Sequence, residues 1–212
     1  MIHCLSNVPA HSPGLREHAV LRNMFEARKR VFIDLLRWDL PVLAGRFELD
    51  QFDNEAAMYV VLSDKHGAHR ASARLLPTTQ SHILDSLFPA LCDEAIPQGP
   101  TTMEITRFCL ERRLPAAERR EARNELVHAL VAFALANGIE RYTGVADLPW
   151  LRQILTFGWR CRPLGVPKIV DSKTLGAMLI EIDEDTPTLL ERAGISAPVP
   201  ANTAHKEARH VH

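Results

Sequence analysis

Arg28 is the first residue in the chain to break a local rule. It shares a three- and four-residue spacing with Leu21, Met24, Phe25, Val31, Phe32 and Leu35, on the apolar face of a helix predicted over 15–36. A charge on such a face is costly unless it meets a partner, and the nearest carboxylates are Glu48, Asp50 and Asp53 in an acidic connector. Arg74 makes the same demand from inside a strand, between Ala73 and Leu75. Two arginines and three carboxylates could form one internal ion network; Asp50 and Asp53 read equally well as solvated loop residues. A calcium loop is disfavoured, because no glycine stands at the sharp-turn position after the acidic residues.

The second constellation is Glu104-Ile105-Thr106-Arg107-Phe108. In a regular strand Glu104 and Thr106 face one side and Arg107 the other, so a meeting of Glu104 with Arg107 needs a β-bulge between them. A buried carboxylate has a tunable pKa and could take a proton from an amine. On this segment alone, an ion pair at a sheet edge is the commoner outcome. Phe25, Phe32, Trp38, Phe47 and Phe52 lie near these charges in a chain with only 6% aromatics, and could wall a flat ligand or simply fill core. A third group, Arg112, Arg113, Arg119, Arg120 and Arg123, surrounds the start of a long helix. Basic residues there oppose the helix dipole, so an acidic partner surface explains them better than helix stability does, against a default of a solvated face shared with Glu118, Glu121 and Glu125.

The elements that must position these residues follow from periodicity and breakers. After the first helix, residues 57–62 and 71–76 read as a hairpin around Asp64-Lys65-His66-Gly67, and 103–110 as a further strand. A helix over 116–136 stops at Asn137-Gly138, followed by a strand (139–145), a short helix (149–157), strands near 159–164 and 177–182, and a short helix ending near Gly194. This order predicts an α/β fold, a mixed central sheet with helices on both faces, as one domain over 1–195. Residues 196–212, with Ala-Pro-Val-Pro and three interleaved histidines, read as a disordered tail.

Composition excludes several classes. The 212 residues carry 25 basic and 26 acidic side chains, which argues against a nucleic-acid partner bound through bulk charge. Cys4, Cys92, Cys109 and Cys161 are scattered, without the spacing of a disulfide framework or a zinc site. No signal-peptide pattern and no membrane-length apolar run is present, so a cytoplasmic location with reduced thiols is expected.

The order Arg28-x-x-Val31-Phe32, Trp38, Glu48-x-Asp50-x-x-Asp53, Arg74 in Ala-Arg-Leu-Leu-Pro-Thr-Thr, Phe88 and Glu104-x-x-Arg107-Phe108 resembles the acyl-homoserine-lactone synthases of the LuxI type, from about Leu15 to Ile182. The resemblance implies an N-acyltransferase (GNAT)-like αβα sandwich. It implies attack of the α-amine of S-adenosylmethionine on an acyl thioester, then lactone closure with loss of methylthioadenosine, yielding a quorum-sensing signal. S-adenosylmethionine is then a substrate, and neither a cofactor nor a metal is implied. Glu104 would remove the ammonium proton, directly or through water, with Arg107 holding it. Arg28, Phe32, Trp38, Asp50, Asp53, Arg74 and Phe108 would form the adenosylmethionine pocket, and Phe88, Thr106, Thr143 and Gly144 would touch the acyl chain. The donor would be acyl-carrier protein or acyl-CoA, docked on the arginines from Arg112 to Arg123. Thr106 replaces the family's usual serine, and its inward threonine associated with 3-oxo products falls near Gly144, beside Thr143. Two rivals are an acyl-CoA N-acyltransferase acting on another amine, whose glycine-spaced pyrophosphate loop is missing between Phe108 and Ala117, and a non-catalytic small-ligand sensor.

Overall fold

Alternation along the strands decides which faces must be covered. In β4 (Met58–Ser63), Tyr59 and Val61 face one way and Val60 and Leu62 the other, and all four are buried. A strand buried on both faces needs helices above and below it. The computed structural model, which describes residues 1–6 and 15–196, supplies both layers. The tail expected over 196–212 lies, but for Ser196, outside the described residues.

Numbered along the chain, the strands are β1 (Ile2–Ser6), β2 (Val42–Leu43), β3 (Phe47–Glu48), β4, β5 (His69–Pro77), β6 (Thr102–Leu110), β7 (Arg141–Asp147), β8 (Arg160–Pro163), β9 (Lys168–Val170) and β10 (Lys173–Glu181). The main sheet runs β1-β4-β5-β6-β7-β10-β8, with β9 also on β10, while β2 and β3 form a separate hairpin. All its pairs are antiparallel except β6 with β7, which run parallel. That parallel pair keeps register only at Thr102–Arg141, Met103–Tyr142 and Glu104–Thr143. Past Glu104 the two strands part, opening a wedge in the middle of the sheet.

One face of the sheet is covered by α3 (Ala116–Asn137), whose Ala122, Leu126, Leu130 and Val131 pack on Val60, Leu75 and Ile105. Gly138 ends that helix at φ +67, a left-handed conformation that glycine adopts without a Cβ penalty. The other face carries α1 (Leu15–Arg28) through Val20, Met24 and Phe25. The remaining helices are α2 (Ile83–Ser86), α4 (Leu148–Ile154) and α5 (Thr186–Arg192). The αβα sandwich is therefore the architecture.

The first helix departs from expectation at its end. Residues Lys29–Leu35 form a π-helix, in which Leu36 N–H reaches back five residues to Val31 O at 3.0 Å. A period of 3.6 puts Leu35 on the buried stripe; the wider turn rotates it out, and it is 42% exposed. Val31 and Phe32 stay buried.

Candidate active site

The acidic connector is drawn inside rather than solvated. Asp50 and Asp53 close a turn on themselves: Asp53 Oδ2 accepts from Asp50 N–H and Asp50 Oδ1 from Phe52 N–H, both at 2.9 Å. This leaves carboxylate oxygens aimed at the sheet, beside Glu48 at the end of β3. Arg28, 1% exposed, gives Nε to Glu48 and both terminal nitrogens to Asp53 at 2.8 Å. Arg74 from β5 binds Asp50 at 2.6 and 3.1 Å, Asp53 at 2.9 Å and the Thr106 hydroxyl at 2.9 Å. Arg107 from β6 reaches Glu48 at 3.1 Å and Asp50 at 2.6 Å. The Tyr59 hydroxyl donates to Asp53 at 2.9 Å.

Three guanidinium groups thus meet three carboxylates, which is the condition under which buried charges are tolerated. Burial alone would raise the Asp53 pKa, but the Arg28 and Arg74 guanidinium groups hold it well below the usual carboxylate range. Burial likewise works against the charge on Arg28, yet Asp53 and Glu48 raise its pKa above the usual arginine value. Arg107 shifts the other way, lowered by burial that Glu48 and Asp50 offset only in part. Glu48, Asp50 and Asp53 each bring one oxygen within 4.8 Å of the others, a spacing that could hold a cation. Here those carboxylates are already bound by Arg28, Arg74 and Arg107, so the donor set is built for guanidinium groups.

β6 carries a bulge, but beyond the interval between Glu104 and Arg107 where the expected one would fall, and it moves Arg107 and Phe108 from their expected places. Ser72 pairs with Cys109 and Arg74 with Thr106, so Ala73 alone opposes Arg107 and Phe108. Arg107 sits at φ +49, and the consecutive side chains of Thr106 and Arg107 both reach the ion network. Phe108 turns to the opposite face, with its ring 5.1 Å from Trp150, and does not belong to the pocket of Arg28 and Trp38. Arg107 is spent on Glu48 and Asp50, and so does not hold Glu104.

Glu104 is held instead by α2. It is fully buried, with Oε2 accepting from Ile83 N–H at 2.7 Å and Oε1 from Leu84 N–H at 2.9 Å. Burial pushes its pKa up to about 7, while those two amides and Arg74 pull the other way. The carboxyl is thus poised to change protonation near neutral pH, at the point where β6 and β7 part.

The expected aromatic wall divides in two. Phe32 and Trp38 stack at 5.0 Å, with Arg107 over Phe32 and Lys173 over Trp38 at 4.7 Å. Phe25 and Phe52 pack in the core, with Arg28 and Arg74 over their rings, and Phe47 lies against the same cluster. Near Glu104, Phe88 packs with Leu84, Leu91 and Ala177 on the face shared by Val145, and Thr143 is buried on that face. Gly144 faces the other way: a Cβ there would meet Met178 Cε at 3.0 Å and Ile105 O at 3.1 Å, so it does not share a pocket with Phe88.

At the start of α3, Arg112, Arg113 and Arg120 are exposed. Arg119 donates to Leu114 O at 3.1 Å, and Arg123 lies over Phe157 at 5.0 Å. Among the described residues none of these five guanidinium groups is paired with a carboxylate, whereas nearby Glu111 holds Arg30 and Glu125 holds Arg70.

Tyr59, His82 and Lys173 stand beside these groups without having been expected there. A phenol inside the apolar run Met58–Leu62 was a usable sign for Tyr59; nothing local marks the other two.

Residues 12–190 match the autoinducer synthase family. The chain belongs to that family. An acyl-homoserine-lactone synthase from Ralstonia nicotianae is 32% identical over 199 residues, covering 90% of this chain and 97% of its own length. The structure of BjaI, a CoA-dependent acyl-homoserine lactone synthase with SAM and isopentyl-CoA, superposes with TM-score 0.79 at 27% identity, covering 94% of this chain and 90% of that one. An N-acetyltransferase from Lactobacillus plantarum shares the fold at TM-score 0.55 and 17% identity, covering 86% of this chain and 99% of its own. The chain thus has the sandwich fold of that N-acetyltransferase. No helix among the described residues is long and apolar enough to cross a membrane.

Proposed function

We infer that this autoinducer synthase is an acyl-homoserine-lactone synthase, moving an acyl group from a thioester to the amine of S-adenosylmethionine and then closing the lactone. Glu104 carries the reading, as a fully buried carboxyl with a pKa near 7 beside a parted strand pair. An ammonium cannot attack a thioester; a base that is partly ionised at neutral pH removes its proton without being locked in either state. In this reading Arg28, Phe32, Trp38 and Arg107 border the adenosylmethionine, Asp53 and Asp50, braced by Arg74, fix those arginines, and the released nitrogen attacks across the wedge. Backbone N–H groups of β6 beyond Glu104, which have no β7 partner in register, are candidates to hold the developing oxyanion. The methionyl carboxylate then displaces the adenosylated sulfur, and methylthioadenosine leaves.

The donor enters from the side of α3. Acyl-carrier protein is acidic and acyl-CoA carries phosphates, so unpaired arginines suit either. Charge reversal at two exposed positions, Arg112→Glu with Arg120→Glu, is expected to raise KM for the donor about tenfold at low ionic strength, with kcat unchanged and the effect shrinking in high salt. Steady-state kinetics across a salt series checks this, and an unmoved KM removes the docking role.

The reading itself is tested by incubating purified protein with S-adenosylmethionine and a panel of carrier-protein and CoA thioesters. Mass spectrometry should find a homoserine lactone and methylthioadenosine in equal amounts. Neither product from any donor overturns it.

A further inference from the structure

The acyl transfer just described releases a proton that has to go somewhere. An ammonium brings three hydrogens to nitrogen; the amide keeps one, the departing thiol takes another, and lactone closure consumes none. One proton therefore reaches solvent in every turnover. Glu104, which receives it, is fully buried, and each of its oxygens already accepts one amide hydrogen bond, from Ile83 or Leu84. It has no direct contact with bulk water, so the proton needs a path out.

The residue before those two amides is His82, whose side chain is also fully buried. Its Nδ1 lies 2.9 Å from the carbonyl oxygen of Gln80. A carbonyl only accepts, so this contact assigns the neutral ring's proton to Nδ1 and leaves Nε2 as a bare acceptor. Nε2 is buried and has no partner among the described residues. Two hydroxyl groups share that condition: Oγ1 of Thr143, the register partner of Glu104 on β7, and Oγ1 of Thr102, two residues before Glu104 on the same face of β6. Buried polar atoms without protein partners are where ordered water sits. On its other side the ring approaches the surface: Nδ1 is 3.4 Å from Asp85, whose side chain is 26% exposed.

We propose that His82 is the proton exit of Glu104. The proton passes from the Glu104 carboxyl through water held by Thr102, Thr143 and Nε2 of His82, and a proton leaves from Nδ1 towards Asp85 and bulk water. No bond other than O–H and N–H changes, and the carboxylate returns ready for the next ammonium. The charged groups around the path are Arg74 and Asp85, which act on Glu104 from β5 and α2, and Arg141, the register partner of Thr102 on β7. His82 acts through Glu104 and does not touch substrate. The inference rests on the acyl-transfer reading above.

His82→Gln keeps a polar side chain of similar reach but cannot carry a proton. It is expected to lower kcat about tenfold, less than loss of the base itself, with KM for S-adenosylmethionine unchanged and a larger solvent deuterium isotope effect on kcat. His82→Ala should lose as much and regain most of it when imidazole is added, in proportion to the neutral imidazole present. Asp85→Asn, which retains the oxygen that accepts from the His82 backbone N–H, should show a smaller loss of the same kind. A merely structural role would move melting temperature and KM but would not follow the protonation state of an added buffer. Wild-type kcat and isotope effect in a folded His82→Gln protein overturn the proposal, as does a His82→Ala loss that imidazole leaves untouched. If His82→Ala fails to fold, the other two variants decide. A wild-type protein that makes no lactone overturns the parent reading instead.

Discussion

Glu104→Gln is expected to slow acyl transfer by about 10²–10⁴-fold while the protein stays folded and still binds S-adenosylmethionine. Glutamine fills the same volume and can still accept from one of the two α2 amides, but it cannot take a proton. The wild-type pH profile should carry the same signature. With a pKa near 7, the carboxyl is mostly protonated below that value, so kcat/KM should fall tenfold per pH unit on the acid side and level off above it. Stability runs in the opposite sense. A carboxyl whose folded pKa is raised favours the folded state most when protonated; stability is full below the unfolded value, about 4.3, declines as pH rises, and levels off above about 7. The melting temperature of Glu104→Gln relative to wild type should therefore increase between those limits. Thiol release measures the first effect and calorimetry across pH the second. Undiminished turnover in the folded variant would falsify the role of Glu104, and a pH-independent difference in melting temperature would remove the raised pKa.

How far the sequence reaches depends on whether a residue's oddity is local. Arg28 and Arg74 were legible because a charge on an apolar face demands a partner wherever the chain goes, and the acidic connector was the nearest source. That argument could not enrol Arg107, whose placement depends on a bulge opposite Ala73. The same bulge turns Phe108 to the face of Trp150, away from the pocket that the resemblance implies for it. Thr143 and Gly144 show a related difficulty: adjacent strand residues point oppositely, and a one-residue uncertainty in register exchanges pocket for core. The main strands and α3 were readable because their apolar patterns and stops are intact. The π-helix was not, because the apolar spacing of Val31, Phe32 and Leu35 fits an unbroken 3.6-residue period. Nor was α2, four residues long and preceded by a histidine rather than a usual capping residue. Its importance is that it supplies two amides to a carboxylate 20 and 21 residues away in sequence.

Asp53→Asn should cost about 3–5 kcal/mol, the usual penalty for removing one partner from a buried ion pair, and lower the melting temperature by on the order of 10 °C. Asp53 is the node of the network: it takes both terminal nitrogens of Arg28, one of Arg74, the Tyr59 hydroxyl and the Asp50 amide. Asparagine removes the charge and turns an N–H₂ donor towards a guanidinium, so the excess of positive charge is buried without compensation. The sign with pH follows from the depressed pKa. Wild-type stability from this group is full above the unfolded value, about 3.9, and is lost as pH falls towards the folded one, so the two melting curves should converge on acidification. Constant separation down to strong acid would mean that Asp53 is not the paired charge described. The consequence for substrate is separable from stability. S-adenosylmethionine should raise the wild-type melting temperature by mass action, and the variant's much less, because Arg28 no longer has a fixed direction. Equal ligand stabilisation in both proteins would leave the network a structural brace with no part in binding. Unequal stabilisation would tie the buried charges to the substrate, since a network that only held α1 against β5 has no reason to distinguish bound from free.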